Sequence, residues 1–488
     1  MPENIIIKSD ELTCVARGQA VVEARQPIEG AFRVLSASAT AVTTPSEIFA
    51  QEARYVGKVT FDFIIATDDR VECVSTVAEF SDKITSSAIG AGSSITLVPE
   101  IVNVEAAVEG GGIKAVAVVD VTAFAVVPHE YSCLAEPDDG IYADKRSIDY
   151  CTVAAEQSET AYVTDSIAAT KISDILTVKS HAVVTSVEVS DTEVKVGGTV
   201  YTDIIVRDDD GMISCCRAVT PFVKGVGILG AASDGMGYAV ANVTESSATI
   251  VDGRVDISVT MTLGVTAFTC NHADVVADVF CADTEIEPKT MDVKRCIAEP
   301  LVTVTDAVDG QIPLAADKLA ADNVLCVTGK FCTISSATID GRANVEGLIG
   351  GDIIYYNAEK NAVDSLAFRL PFSLPLSVHS DATSVEVTAK VTDITVRVRR
   401  ESVFDIKAEV AFTLRMYSEL ECGVVESVVM GEPIARPNAS VIIHIAKKGE
   451  TLWQAAKALC CSPDRVTAQN DAQAPYEGGE RLINFCNR

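Results

Sequence analysis

The feature that most constrains this fold is a glycine-to-aspartate pattern that occurs three times along the 488-residue chain. The copies are Gly57–Asp62, Gly198–Asp203 and Gly347–Asp352, and each continues into a run of branched or aromatic residues. They begin 141 and 149 residues apart. A repeat of this period indicates tandem copies of one domain of ordinary size.

A second match supports the repeat. Each copy is followed, some distance on, by a charged turn and an alternating strand, in segments that begin at Glu109, Val251 and Arg399. In the third segment, apolar residues take every other position from Phe404 to Phe412. This period of two is typical of a strand with one buried face.

Turn residues separate these strands. The dipeptides Asp210-Gly211 and Asp252-Gly253 are typical of tight hairpins between antiparallel strands. Many short strands joined in this way predict a mainly β body of three tandem antiparallel domains, each either a sandwich or a partly open barrel. The pattern alone leaves both architectures open.

The last stretch of the chain has a different pattern. Val441–Ala446 is a β-branched run that predicts a strand, and Gly449 ends it. Thr451 with Gln454 three residues later is a capping box, which predicts that a helix begins there. The apolar residues of this helix recur at helical spacing on one face: Leu452, Ala455, Ala456 and Leu459.

A second short helix and a strand complete this pattern. Ser462 can cap the helix, and Pro463 suits its first position. An apolar pair at Leu482 predicts the closing strand, so that the order is β, α, α, β.

The repeats and the final pattern divide the chain. Pro433 and Pro437 indicate a short extended linker before the last module. We predict three β repeats and one small βααβ module, with the bounds 1–150, 151–295, 296–436 and 437–488.

Charge and composition restrict the partners. The net charge is −30, yet residues 441–488 carry six basic and five acidic side chains, so the acidity belongs to the β body. Such a body repels nucleic acid and anionic membranes, which we therefore exclude as partners. No apolar run reaches the roughly 18 residues of a membrane span, and the N-terminus lacks the features of a secretory signal.

The cysteines and histidines indicate a cytoplasmic protein without metal. The 15 cysteines form no Cys-x-x-Cys pair, which is typical of reduced thiols rather than of a disulfide framework or a zinc site. The five histidines are far apart in sequence, and no H-E-x-x-H, G-x-S-x-G or Walker A motif is present. We predict no catalytic residues, no metal and no cofactor.

Three weaker motifs are interpreted as structural. Gly225–Gly230 matches G-x-G-x-x-G, but no helix-forming sequence follows it, so we predict a loop. The acidic turn at Asp208–Asp210 lacks the closing glutamate of a calcium loop and is predicted to be a solvated hairpin tip. The repeated Asp62, Asp203 and Asp352 are predicted to bond to backbone or to face solvent.

The final module resembles LysM, a small βααβ domain that usually binds glycans containing N-acetylglucosamine. The resemblance is carried by the segment Lys448–Trp453 and by single positions further on: Ala456, Val466, Asn470, Gly479 and Leu482. It implies a groove between the loop after the first strand and the loop before the second. The expected glycan- or partner-binding residues are Gly449, Glu450, Thr451, Leu452, Trp453, Asn470, Asp471 and Gly479.

Trp453, the single tryptophan, has two interpretations. It lies one residue off the apolar face of the first helix, where it can pack against the edge of its own module. Alternatively it is a partly exposed aromatic anchor for a ligand, the residue type enriched at binding hot spots.

Taken together, valine-rich β repeats with the Gly-x-x-x-x-Asp-Ile-Ile pattern and one C-terminal LysM module resemble the SipL-like proteins of spore-forming clostridia, whose repeats are called SPOCS domains. The resemblance implies a mother-cell protein at the forespore surface. It also implies that the LysM module binds the basal morphogenetic ATPase of the spore coat.

We therefore expect a non-enzymatic assembly or scaffold protein of the spore envelope. Two alternatives remain open. One is a protein that binds peptidoglycan of the wall or cortex, and the other is a structural protein whose β repeats polymerise through exposed edge strands. A single LysM copy slightly favours a protein ligand, because glycan binders often use several copies for avidity.

Overall fold

A computed structural model describes residues 3–67, 70–87, 89–90, 93–168, 171–230, 235–315, 318–399, 402–434, 440–471 and 473–485, with the side chains of 13–16 left aside. The protein is mainly β, with several antiparallel sheets. We call the first six strands unit 1. They are β1 Glu3–Pro27, β2 Phe32–Phe49, β3 Glu52–Thr67, β4 Val71–Thr85, β5 Ser94–Glu109 and β6 Gly112–Glu136.

Two further units repeat this order. Unit 2 contains β7 Ile141–Ala168, β8 Ile172–Val189, β9 Glu193–Asp208, β10 Ile213–Gly227, β11 Met236–Val251 and β12 Arg254–Cys281. Unit 3 contains β13 Thr284–Ala298, β14 Val302–Pro313, β15 Asn323–Ile339, β16 Ala343–Asn357, β17 Ala362–Pro375, β18 Ser384–Arg399 and β19 Val403–Pro433.

Unit 3 has one extra strand because its first strand is interrupted. Both β13 and β14 pair with β19, and residues 299–301 separate them. Pro300 lies in this break, where its missing N–H removes a donor that a continuous ladder would need.

Each unit is a sandwich of two sheets. In unit 1, β6 pairs with both β1 and β5, and β3 pairs with both β2 and β4. One core lies between the two sheets, with Phe61 and Phe63 of β3 packed in the same cluster as Ala117 and Val119 of β6. The other two units have the same pairing and their own cores. The structure thus selects the sandwich over the barrel.

The alternating pattern works as predicted. From Phe404 to Phe412 in β19, the even-numbered residues are all buried. The predicted hairpins are also confirmed: Asp252 and Gly253, both at positive φ, join β11 to β12, and Gly211, with φ +83°, lies between β9 and β10.

The unit boundaries lie earlier than residues 150 and 295. Those positions fall inside β7 and β13, which pair with the last strands of units 2 and 3. The sequence match rested on the third and last strands of each unit, and a first strand is assigned to a unit only by its pairing. The predicted linker around Pro437 lies outside the described residues, and Pro433 is the last residue of β19.

Equivalent residues of the three units meet at one place. Ile64, Ile205 and Ile354 each lie two residues after the repeated aspartate, and they pack in one buried cluster. A second cluster joins Ile7, Ile148 and Val293 from the first strands of the three units. The units therefore surround a pseudo-threefold axis and share buried apolar surface along it.

The repeated aspartates connect each unit to the next. Lys179 of unit 2 lies 2.7 Å from Asp62 of unit 1, and Lys330 of unit 3 lies 2.5 Å from Asp203 of unit 2. The cycle closes where Ser36 Oγ of unit 1 donates to the carboxylate of Asp352 in unit 3 at 2.6 Å.

The prediction that these aspartates bond to backbone or face solvent is therefore wrong for Asp62 and Asp203, whereas Asp352 does accept a hydrogen bond from the Ala37 backbone amide. Asp62 and Asp203 form ion pairs between units, since the neighbouring unit places a lysine beside each of them. The pairing could not be seen in the sequence, because each lysine lies on a different repeat from its partner.

The third junction differs in charge. No Lys or Arg among the described residues pairs with Asp352, and burial raises the pKa of its carboxyl to about 6 despite the bonds from Ser36 and the Ala37 amide. Because this pKa exceeds the ordinary value of 3.8, the stabilising contribution of the group is full below about pH 4 and is lost as the pH rises through 6.

We predict that Asp352→Asn raises the free energy of unfolding by about 2–3 kcal/mol at pH 8, with the gain shrinking toward zero near pH 4. Asparagine keeps an acceptor for Ser36 without the buried charge. Denaturant unfolding of variant and wild type across this pH range measures the difference. A gain that is equal at pH 4 and pH 8 would contradict the assignment.

Asp203→Asn is the matched variant at the equivalent position. It removes the carboxylate that pairs with Lys330 and Arg217, so it should lower the free energy of unfolding by roughly 3 kcal/mol at pH 8. Opposite signs for the two variants are the expected result, and stabilisation by both would show that the lysine pairs are unimportant.

Candidate binding site in the C-terminal unit

The C-terminal unit has the predicted order of elements: β20 Val441–Ile445, α1 Leu452–Leu459, α2 Pro463–Gln469 and β21 Arg481–Phe485. The two strands pair antiparallel. The capping box of Thr451 and Gln454 is present, and Ser462 caps α2 with Pro463 in its first turn. Ala455, Ala456 and Leu459 are buried, as the helical spacing predicts, and Leu452 is partly buried against them.

The two loops expected to form a groove lie side by side. The Gly449 amide donates to the Tyr476 carbonyl at 2.8 Å, and the Tyr476 amide donates to the Glu450 carbonyl at 3.1 Å. Gly449 and Gly479 have φ of +79° and +97°, which glycine adopts without strain. We call residues 447–451 and 471–479 the loop pair, with residue 472 outside the described part.

Glu450 stabilises one of these loops. One carboxylate oxygen accepts from His444 Nε2 at 2.7 Å, and the other accepts from the Lys447 amide at 2.6 Å. Burial tends to raise the pKa of the Glu450 carboxyl, but these two bonds outweigh it and hold the pKa below its ordinary range. Both oxygens thus have partners within the unit.

Asn470 has a similar structural role. Its amide nitrogen donates to the carbonyls of Val466 and Ile483 at 2.8 and 2.9 Å, and its oxygen accepts from the Ile483 amide at 2.6 Å. These bonds connect the end of α2 to β21. Neither Asn470 nor Glu450 therefore offers the free side-chain group that a sugar hydroxyl would need.

The remaining expected residues are accessible. Gly449, Thr451, Asp471 and Gly479 are all exposed, and the structure brings the first two beside the loop that carries the other two. The loop pair exposes charges of both signs, from Lys447, Lys448, Asp471 and Glu477.

Trp453 packs against the apolar cluster that holds the buried residues of its own module, and it also contacts unit 2. Its indole N–H donates to Asp278 of β12 at 2.9 Å, and its ring meets the Phe280 ring edge-on with 5.0 Å between centroids. Lys457, one helical turn on, also binds Asp278, at 2.8 Å. The packing within the module agrees with one of the two interpretations, the role of ligand anchor stays a prediction, and the contact with β12 of unit 2 was not predicted.

Asp278, Phe280 and Tyr142 are the interface residues that sequence reasoning missed. The only available signal was the i, i+4 spacing of Trp453 and Lys457, which places both on one helix face. Nothing in the sequence identifies β12 as the element that this face contacts.

A second exposed feature is apolar. Val441, Ile443 and Ile445 alternate along β20 and are 39%, 61% and 62% exposed, and Phe485 opposite Val441 is 50% exposed. Exposed apolar residues that adjoin one another are typical of interaction surfaces. We call these four residues the apolar strand face.

The Gly-rich motif is not a nucleotide-binding loop, and no metal site is found among the described residues. Within Gly225–Gly230, β10 continues to Gly227, so the first half is strand rather than the predicted loop; residues 231–234 lie outside the description. Among the described residues no group of His, Cys, Asp and Glu could hold a metal ion, and no helix is long and apolar enough to cross a membrane.

Comparison with known proteins gives no assignment. No protein-family model, no curated protein and no solved structure matches this chain.

We predict that Asp278→Ala loosens the contact between the C-terminal unit and unit 2. The change removes the acceptor of both Trp453 and Lys457, bonds to a charged group that each contribute about 1.5–3 kcal/mol. As Trp453 is the only tryptophan, its emission should move to longer wavelength and acrylamide should quench it more strongly.

Asp309→Ala, an exposed aspartate on β14 of unit 3, is the control and should leave the fluorescence unchanged. Identical spectra and quenching for Asp278→Ala and wild type would show that the Trp453–Asp278 contact does not exist in solution.

Proposed function

We propose that this protein is a non-enzymatic assembly protein of the spore envelope, and that its LysM-like C-terminal unit docks on a coat protein at the forespore surface. The observation that supports docking most directly is the exposed loop pair. The unit that carries it is held against unit 2 by the bonds of Trp453 and Lys457 to Asp278. An anchored module holds its binding surface in one orientation, which lowers the entropy lost on binding.

The surface chemistry favours a protein partner over a glycan. Glu450 and Asn470, the polar side chains expected to reach a sugar, are occupied by bonds within the unit. The apolar strand face adds exposed branched side chains and Phe485, which bury area against another protein rather than against hydrophilic glycan.

The β body acts in this proposal as a platform. Its three units are joined by ion pairs and shared apolar clusters, so that the body holds the C-terminal unit at a fixed position. The partner we propose is the basal morphogenetic ATPase of the coat, on the strength of the resemblance to SipL-like proteins. Peptidoglycan is the competing ligand, and the test includes it.

The test is direct binding of the full chain to a purified basal coat ATPase from a spore-forming clostridium, with solubilised peptidoglycan fragments as competitor. We expect saturable binding that the fragments do not reduce. Binding to the fragments without binding to the ATPase would overturn the proposal in favour of wall attachment.

Asp471→Arg should weaken binding to the ATPase by at least about 10-fold, because it reverses one of the exposed charges of the loop pair. Ala468→Arg adds the same side chain at an exposed position of α2 and is the control. Equal affinities of the two variants, both folded by circular dichroism, would exclude the loop pair as the docking surface.

A further inference from the structure

A cavity of the β body lies where the three units meet. Its volume is about 320 Å³, within the range of small-molecule sites. Each unit contributes its second and fifth strands to the wall: residues 37–43 and 99–104 of unit 1, residues 177–182 and 241–243 of unit 2, and residues 327–332 and 389–391 of unit 3.

Equivalent positions carry different chemistry in this cavity. Glu100, Asn242 and Lys390 occupy the same position on the fifth strand of their units, and all three line the wall. Their partners on the last strands are the equivalent residues Asp120, Thr262 and Ala411. The pseudo-threefold body thus presents a carboxylate, an amide and an ammonium at one level of its axis. Packing of three similar units does not require this set of charges.

Three residues that line this cavity carry a buried polar atom without a partner in the described part of the chain. Thr43 Oγ1, Glu100 Oε1 and His181 Nε2 are buried, line the wall and find no hydrogen-bond partner among the described residues. The wall therefore carries polar as well as apolar groups, as the sites of small molecules do.

The Lys390 ammonium has no partner at hydrogen-bond distance among the described residues. The Lys390 ammonium lies 3.8 Å from Glu100 Oε1, beyond hydrogen-bond distance, and its side chain is 38% exposed. The other two lysines of the wall already form ion pairs, Lys179 with Asp62 and Lys330 with Asp203. Burial and the nearby Lys390 lower the pKa of His181 to about 3, so its ring is neutral at physiological pH.

We propose that this cavity binds a free α-amino acid. Its ammonium group would donate to Glu100, and its carboxylate would accept from Lys390. A zwitterion satisfies both charges at once, whereas a simple anion would meet the repulsion of Glu100. Apolar wall residues such as Ile101, Val243 and Phe368 are left for the side chain of the ligand. This proposal is independent of the docking function.

The experiment is isothermal titration of the full chain with each standard α-amino acid, with acetate and methylammonium as probes that carry one charge. We expect saturable binding of at least one amino acid below about 10 mM, with both single-charge probes much weaker. If no amino acid binds, or if acetate binds as tightly, the assignment is wrong.

Variants locate the binding. Lys390→Ala and Glu100→Gln should each weaken it at least about 10-fold, while Lys407→Ala and Glu109→Gln, exposed residues on β19 and β5, should not. Thermal melting confirms that each variant is folded. Binding that all these variants leave unchanged would place it outside the cavity and overturn the proposal.

Discussion

The structure depends on the closed cycle of contacts between the three β units. Each unit buries its own core, but the apolar clusters on the axis exist only when all three units are present. The ion pairs of Lys179 with Asp62 and of Lys330 with Asp203 fix the order of the cycle, because each connects one unit to the next. Two junctions hold a partly buried ion pair, and the third holds the Asp352 carboxyl without a lysine partner among the described residues.

Local features were predictable from the sequence, and the contacts between repeats were not. The period-two pattern of β19 and the turn at Asp252-Gly253 depend on residues close in sequence, so a single chain reveals them. The same holds for the capping box at Thr451. The repeated aspartate was visible as a pattern, yet its partner Lys179 lies in another repeat, and periodicity carries no information about which units touch.

In the candidate site, too, local features were predictable and packing contacts were not. The loop pair was located from its glycines and from the spacing of the module, both of which are local signals. The internal roles of Glu450 and Asn470, and the contact of Trp453 with Asp278, depend on how strands and units pack. The contact of Trp453 with unit 2 was therefore missed, since Asp278 lies on a strand that is more than a domain away in sequence.

The central claim is that the three units form one closed body rather than a linear array. Glu100 of unit 1 and Lys390 of unit 3 test it most directly, because they approach to 3.8 Å only if the cycle closes. Treating the protein with a zero-length carbodiimide at low concentration and mapping the products by mass spectrometry should give a Glu100–Lys390 crosslink in the monomer. Crosslinks between units 1 and 2 and between units 2 and 3, with none between units 1 and 3, would contradict the closed arrangement.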